Sequence, residues 1–225
     1  MLDMHVHVRD ILEGKNSVSD FIEKEKKFKV DKIVFLEHGM RISEKHHGLL
    51  IDDVNYIKLK RIVEIARQEY PELYIYSGIE IDYSYDNEFR EKTLNYLKLH
   101  NFDYVIGSIH SIKFTDGLDY FNSIIDMINN YPISIIGHLK LRENWKDYKE
   151  VIEKIILLCK KKNIAVEINT SHRSLWDEEQ FAYIFSLINQ NDVKYTIGSD
   201  AHNINQIGDN YSLVKGRIRK AIRKI

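Results

Sequence analysis

The sequence predicts an α/β barrel of parallel strands, and three observations carry that expectation. Short apolar, β-branched runs alternate with longer helical patterns along the chain, so successive strands run parallel with helices outside. No G-x-G-x-x-G or G-x-x-x-x-G-K-[ST] follows any strand, which weakens the competing nucleotide-binding open sheet. Side chains able to ligate metals or bind substrate stand at the end of every run, where β/α barrels place their functional groups.

Seven strands are predicted, over residues 2–6, 32–36, 74–79, 104–109, 134–136, 165–168 and 195–197. Between them SVSDFIEKEKKFK, DDVNYIKLKRIVEIARQEY, NEFREKTLNYLKLH, DYFNSIIDMINN, DYKEVIEKIILLCKKK and DEEQFAYIFSLINQ read as helices. Apolar residues recur three and four apart in each, with Asp, Ser or Asn near the start as a cap. NYSLVKGRIRKAIRKI reads as a last helix. Its basic face suits solvent and the C-terminal helix dipole better than an acidic partner.

Composition narrows the function classes. The 225 residues contain no linker-like break and only 2 Pro, so one domain over 1–225 is expected. A formal charge of −1 gives no overall field toward long nucleic acid or an anionic membrane. Cys159 is the one cysteine, set in IEKIILLCKKKN as a buried structural thiol on a helix. No signal segment or bilayer-length apolar run is seen, and a cytoplasmic protein is expected.

The strand ends carry the chemistry. In Asp3-Met4-His5-Val6-His7, alternation points His5 and His7 one way, leaving Met4 and Val6 for the opposite face. The following strands end in Glu37-His38, Glu80 with Asp82, His110, His138, Glu167 with Asn169, and Asp200 with His202. Of the 10 histidines, six occupy such places, which points to a metal centre rather than scattered imidazoles. So many N and O donors exceed one tetrahedral ion and imply two or three divalent ions. Without thiolate, Zn, Mn and Fe all stay open. Clustered ions need a bridging carboxylate, and Glu80 on a central strand is the candidate.

In this order the motifs resemble the polymerase and histidinol phosphatase (PHP) superfamily, most of all its histidinol-phosphatase branch. They are D-x-H-x-H at 3–7, E-H at 37–38, G-I-E at 78–80, S-x-H at 108–110, G-H at 137–138, E-x-N-T-S at 167–171 and G-S-D-A-H at 198–202. The resemblance covers essentially the whole chain and implies a distorted seven-stranded (β/α)7 barrel. It implies a first ion on His5, His7, Glu80 and Asp200, and a second on Glu80, His110 and His138. A third would take His38, His202 and a residue soon after strand one, with Glu13 at the matching offset and Asp10 nearby. Glu37 stands where many members have aspartate, either ligating or orienting His38.

The reaction the resemblance implies is hydrolysis of a small phosphomonoester, with histidinol phosphate the expected substrate, by a metal-activated hydroxide. The absence of C-x5-R, D-x-D and G-x-S-x-G motifs agrees, since no protein nucleophile is required. His202 is the expected acid, in competition with ligation. Arg173, Arg142, Arg41, Asn169 and His172 are expected around the substrate, the arginines because their forks bind two phosphate oxygens. His46 and His47, in the long segment after strand two, could cover it, whereas His100 is expected to be structural. Nucleotide phosphatase, short phosphodiesterase and phosphotyrosine phosphatase activities stay open, as does a non-catalytic metal-binding regulatory module.

Overall fold

Seven strands pair in parallel in chain order: β1 Leu2–His7, β2 Lys32–His38, β3 Tyr74–Asp82, β4 Tyr104–Ser108, β5 Ile135–Ile136, β6 Ala165–Asn169 and β7 Tyr195–Gly198. They belong to a computed structural model that describes residues 1–39, 53–141 and 144–223. The sheet curls into a nearly closed barrel. Val6 bridges Ala201, and the amides of Asp200 and His7 donate to the carbonyls of His5 and Ala201 at 2.8 and 2.9 Å.

The predicted strands are all present, but β1, β2 and β3 run further than expected, through His7, His38 and Asp82. Polar residues there read as loop in the sequence. Because their side chains fill the barrel mouth, the backbone ladder continues beneath them.

Helices α2 Val18–Lys27, α3 Asp53–Glu69, α4 Asn87–Leu99, α5 Gly117–Asn130, α6 Lys149–Lys162, α7 Glu178–Gln190 and α8 Tyr211–Ile222 fall where predicted, and a single unpredicted turn, α1 Arg9–Leu12, follows β1. Ser17 and Asp177 form capping boxes with Asp20 and Gln180, and Asp86 and Asp116 cap α4 and α5. The caps expected for α6 and α8 are absent. Asp147 lies in a 3-10 turn ahead of α6, and Asn210 donates instead to the Thr170 carbonyl at 2.8 Å. The basic residues of α8 serve the fold: Lys215 and Arg217 donate to the carbonyls of Phe28 and Trp176, and Lys220 pairs with Glu178 at 2.6 Å. No helix among the described residues is long and apolar enough to cross a membrane.

One apolar cluster fills the space between barrel and helices, with Cys159 buried in it as expected and its thiol pushed up to about 12 by burial. A second cluster, Met4, Val34, Leu36, Ile106, Ile135 and Ala165, plugs the barrel interior. Met4 therefore does not share the outer face with Val6. The β1–β2 register shifts between Asp3 and Val6, a bulge that turns both Met4 and His5 inward.

Asp3, by contrast, fastens the barrel seam. Its Oδ1 accepts from the amides of His5 and Ser199 at 3.1 and 2.9 Å, and its Oδ2 accepts from the Tyr211 hydroxyl. Glu25 of α2 is buried beside them, and burial, then the Asp3 charge, raises its carboxyl well above the usual range. A raised carboxyl stabilises the fold fully below the unfolded pKa of ~4.3, and that contribution is lost as pH rises through the folded value. Glu25→Gln should therefore gain stability over the parent progressively as pH rises from about 5 toward neutrality. Thermal melts of both proteins across that range test this; parallel Tm curves would contradict it.

Candidate metal centre

The mouth of the barrel, at the C-terminal ends of the strands, gathers the histidines around one carboxylate. Glu80 of β3 is buried, with Oε2 turned toward β1 and β2 at 3.6 Å from His5 Nε2, 3.5 Å from His7 Nε2 and 2.7 Å from His38 Nδ1. Its Oε1 faces the other way, 3.3 Å from His110 Nε2 and 3.0 Å from His138 Nε2. Asp200 closes the first set, with Oδ1 3.7 and 3.4 Å from His5 and His7.

Imidazole nitrogens face one another in three pairs. His5 and His7 Nε2 are 3.2 Å apart, His110 and His138 Nε2 3.1 Å, and His38 and His202 Nε2 3.3 Å. Two nitrogens each ~2.05 Å from one tetrahedral ion stand about 3.3 Å apart. Three groups could hold an ion by proximity: His5 with His7 and Asp200, His38 with Glu80 and His110, and His7 with His38 and His202. The donors also fit the chemistry of a cation. Although Oε2 of Glu80 lies so close to His38, it accepts no hydrogen bond, a buried carboxylate lone pair left for a positive ligand. All are N or O donors, as Zn, Mn or Fe prefer.

Further side chains orient these donors. His5 Nδ1 donates to Glu167 Oε1 at 2.8 Å, so its Nε2 lone pair faces the centre. Glu167 Oε2 in turn accepts from the His138 amide at 2.6 Å and Asn169 Nδ2 at 3.1 Å. His202 Nδ1 donates to the Asp200 carbonyl at 2.9 Å. The Asp82 carboxylate accepts from the His110 amide at 2.8 Å and from the Ser111 hydroxyl. Asp200 and His138 sit at φ of 54° and 22°, left-handed conformations that cluster at functional sites.

The electrostatics are those of an anionic cage short of positive charge. Burial opposes protonation of His5, but the carboxylates of Glu167, Glu80 and Asp200 outweigh it and raise its pKa well above the ordinary value. His7 is raised to about 9, burial again being overcome, here by Asp200 and Glu37. Glu80 and Asp200 are held low against their own burial, chiefly by His110 and His5 respectively. Metal ions bound at these donors would displace protons from them. His202 differs: burial and the neighbouring His7 push it down to about 4, although Asp200 pulls the other way.

The PHP domain family matches residues 3–171, three quarters of the chain and all but the last strand of this barrel. The chain belongs to the PHP domain family. A Thermotoga maritima protein named as a probable histidinol-phosphatase is 23% identical over 98% of this PHP chain and 92% of its own length. Among solved structures, the histidinol phosphate phosphatase of Lactococcus lactis, in complex with zinc, L-histidinol and phosphate, superposes with a TM-score of 0.77. It is 20% identical, covering 99% of this chain and 92% of its own. A Listeria monocytogenes chain named as a candidate histidinol phosphatase gives 0.74 at 18% identity, over 95% and 99%.

Other predicted site residues of the PHP chain fall elsewhere. Glu13 belongs to none of the three groups; its carboxylate pairs with Arg9 at 2.9 Å and Lys15 at 2.6 Å, because the α1 turn sets Arg9 and Glu13 four apart on one face. Asp10 also faces Lys15, at 3.6 Å. Glu37 lies against His7 Nδ1, at 3.6 Å, and its contact with His38 is to the backbone amide at 3.4 Å rather than to the imidazole. Asn169 is occupied within the chain: Nδ2 donates to Glu167, and Oδ1 accepts from the Ser171 amide and hydroxyl at 2.9 and 2.6 Å. These bonds shape the turn after β6.

Arg173 and His172 are exposed in that turn, His172 being 3.9 Å from Asp209. His100 is structural, its Nδ1 donating to the Tyr96 carbonyl at 3.0 Å. Arg41, His46, His47 and Arg142 lie outside the described residues.

The sequence assigns no specific role to two supporting carboxylates, Glu167 and Asp82. The usable signal was the i, i+2 spacing of Glu80 with Asp82 and Glu167 with Asn169, which keeps each pair on one strand face. Glu167→Gln should weaken metal affinity about 10- to 100-fold, since it removes the acceptor that orients His5. Metal titration against a chromogenic chelator checks this, and unchanged affinity would deny Glu167 the role.

Proposed function

We propose that the chain is a metal-dependent phosphomonoesterase, with histidinol phosphate as its substrate. The observation carrying this reading is the Glu80 carboxylate, one oxygen turned to His5, His7 and His38 and the other to His110 and His138. The first ion is assigned to His5, His7, Asp200 and Glu80, the second to Glu80, His110 and His138, and a third to His38 and His202. Family membership supports the class, and the L-histidinol and phosphate held by the Lactococcus lactis protein support the substrate.

Bound divalent ions supply water acidified toward neutral pH and positive charge for the phosphoryl oxygens. The chain's own residues do the positioning. Glu167 fixes the proton of His5 on Nδ1, and the Asp200 carbonyl fixes that of His202 on Nδ1, so both offer Nε2 as a ligand. The Nε2 of His202 lies 3.3 Å from that of His38, which supports ligation over the acid expected from sequence. Arg173, in the exposed turn beside the mouth, is assigned to the substrate phosphate.

The test compares kcat/KM for histidinol phosphate, nucleoside monophosphates, phosphotyrosine and a dinucleotide, each with and without chelator. A preference for histidinol phosphate of about tenfold or more is expected, with chelator abolishing turnover. Chelator-insensitive hydrolysis would overturn the class; a higher value for another substrate would overturn the substrate. Persistent inactivity of fully metallated protein on every phosphoester would favour a non-catalytic module.

A further inference from the structure

The donors assigned to the first ion come from both sides of the seam that closes the barrel, His5 and His7 from β1 and Asp200 from the turn after β7. That seam is sparingly bonded. Among the described residues a single bridge, Val6 with Ala201, joins β1 to the chain beyond β7, whereas ladders join the strands elsewhere. Asp200 nonetheless keeps Oδ1 at 3.7 and 3.4 Å from the Nε2 atoms of His5 and His7, on a backbone with φ of 54°.

Asp3 spans the seam. Its Oδ1 accepts from the amide of His5 at 3.1 Å and from that of Ser199 at 2.9 Å, so one atom ties the backbone of one donor to the residue before another. The Ser199 hydroxyl extends the tie, donating to the His5 carbonyl at 3.3 Å and accepting from the Ala201 amide at 3.2 Å. The other oxygen of Asp3 fixes the direction of the first. Oδ2 accepts from the hydroxyl of Tyr211, the first residue of α8. Tyr211 is buried, and its ring meets that of Phe28 edge to face at 5.4 Å, which holds the hydroxyl in place. A phenol has one proton to give, and here it goes to Asp3; Glu25 Oε2, 3.5 Å from the same hydroxyl, is the weaker contact.

We propose that Tyr211 is a positioning residue for the first ion: by holding Asp3, it keeps the His5 and Asp200 donors together across the seam. This rests on the assignment of that ion to His5, His7, Asp200 and Glu80. Tyr211 lies outside residues 3–171, so α8 supplies a support that the family match does not span. The amides of His110 and His138 are held by Asp82 and Glu167 instead, so the second ion should not respond to loss of the hydroxyl.

The test is titration of Zn²⁺ into the metal-free full chain against a chromogenic chelator, which counts the ions and resolves their affinities. Asp200→Asn identifies the first ion by losing it. Tyr211→Phe should lower first-ion affinity at least tenfold and leave the second within threefold of the parent. Asp3→Asn should stay within threefold at both, since its side chain keeps an oxygen for the two backbone amides and an NH2 for the Tyr211 oxygen. Ile155→Val, in the core beside α6, should lower the Tm with both affinities at parental values, which separates positioning from stability loss alone. Parental binding by Asp200→Asn would overturn the assignment of the first ion and the proposal with it. Where Asp200→Asn loses that ion, the assignment stands, and the proposal alone is overturned by parental affinity in Tyr211→Phe, by equal weakening of both ions, or by the same weakening in Ile155→Val. Should Tyr211→Phe fail to fold, loss of the first ion from Asp3→Asn would overturn it.

Discussion

Glu80→Gln is expected to leave the barrel folded while metal content and turnover fall together, kcat by on the order of 10³-fold or more. The amide has the shape of the carboxylate, so the apolar plug beneath it is undisturbed. It lacks the charge, however, and its NH2 points a donor where an acceptor stood among five imidazoles at 2.7 to 3.6 Å. Adjacent cations repel strongly at low dielectric, and among the described residues no other carboxylate approaches the Nε2 atoms of both sets of histidines. Metal analysis and kcat, measured beside Glu37→Gln, decide the matter. Glu37 sits at 3.6 Å from the outer nitrogen of His7, so its loss should cost about 10- to 100-fold. A Glu80→Gln protein with full metal occupancy and near-normal turnover would overturn the assigned centre.

Gly198→Ala is expected to destabilise the protein by about 3 kcal/mol or more, beyond the usual penalty for overpacking. An added Cβ would overlap Glu167 Oε1 and come within 2.7 Å of His5 Cβ. Neither obstacle can swing aside. Glu167 is buried and held by His5, the His138 amide and Asn169, while His5 Cβ belongs to the adjoining strand. The Tm should fall by about 10 °C, and metal affinity with it, because the displaced Glu167 no longer orients His5. Gly216→Ala is the control. That glycine lies in α8 with nothing within 4 Å of the added Cβ, so helix propensity should raise stability by ~0.5–1 kcal/mol. A Gly198→Ala protein with parental Tm and metal content would show that the Glu167–His5 pair has room the structure denies it.

The periodicity of the chain made the seven strands and the helices after them legible, since alternation and the 3.6-residue repeat are local properties. The ends of β1 to β3 were not. A histidine or glutamate inside a barrel is indistinguishable in sequence from one in a loop until the facing strands are known. The same limit explains Asn169 and Glu13, residue types suited to a site but spent on neighbours, Ser171 and Glu167 in one case and Arg9 and Lys15 in the other.

By itself the sequence determined the fold class and the donor atoms, because strand alternation and the order of His, Glu and Asp along the chain are fixed by covalent connectivity. Tertiary structure decided which donors meet. The β1 bulge turns Met4 inward with His5, Asp3 fastens the seam instead of facing the cation site, and Glu80 divides its two oxygens between histidines of β1 and β2 and histidines just beyond β4 and β5. These outcomes depend on barrel closure, register and burial, which join residues up to about 200 positions apart, a distance over which no local pattern carries information.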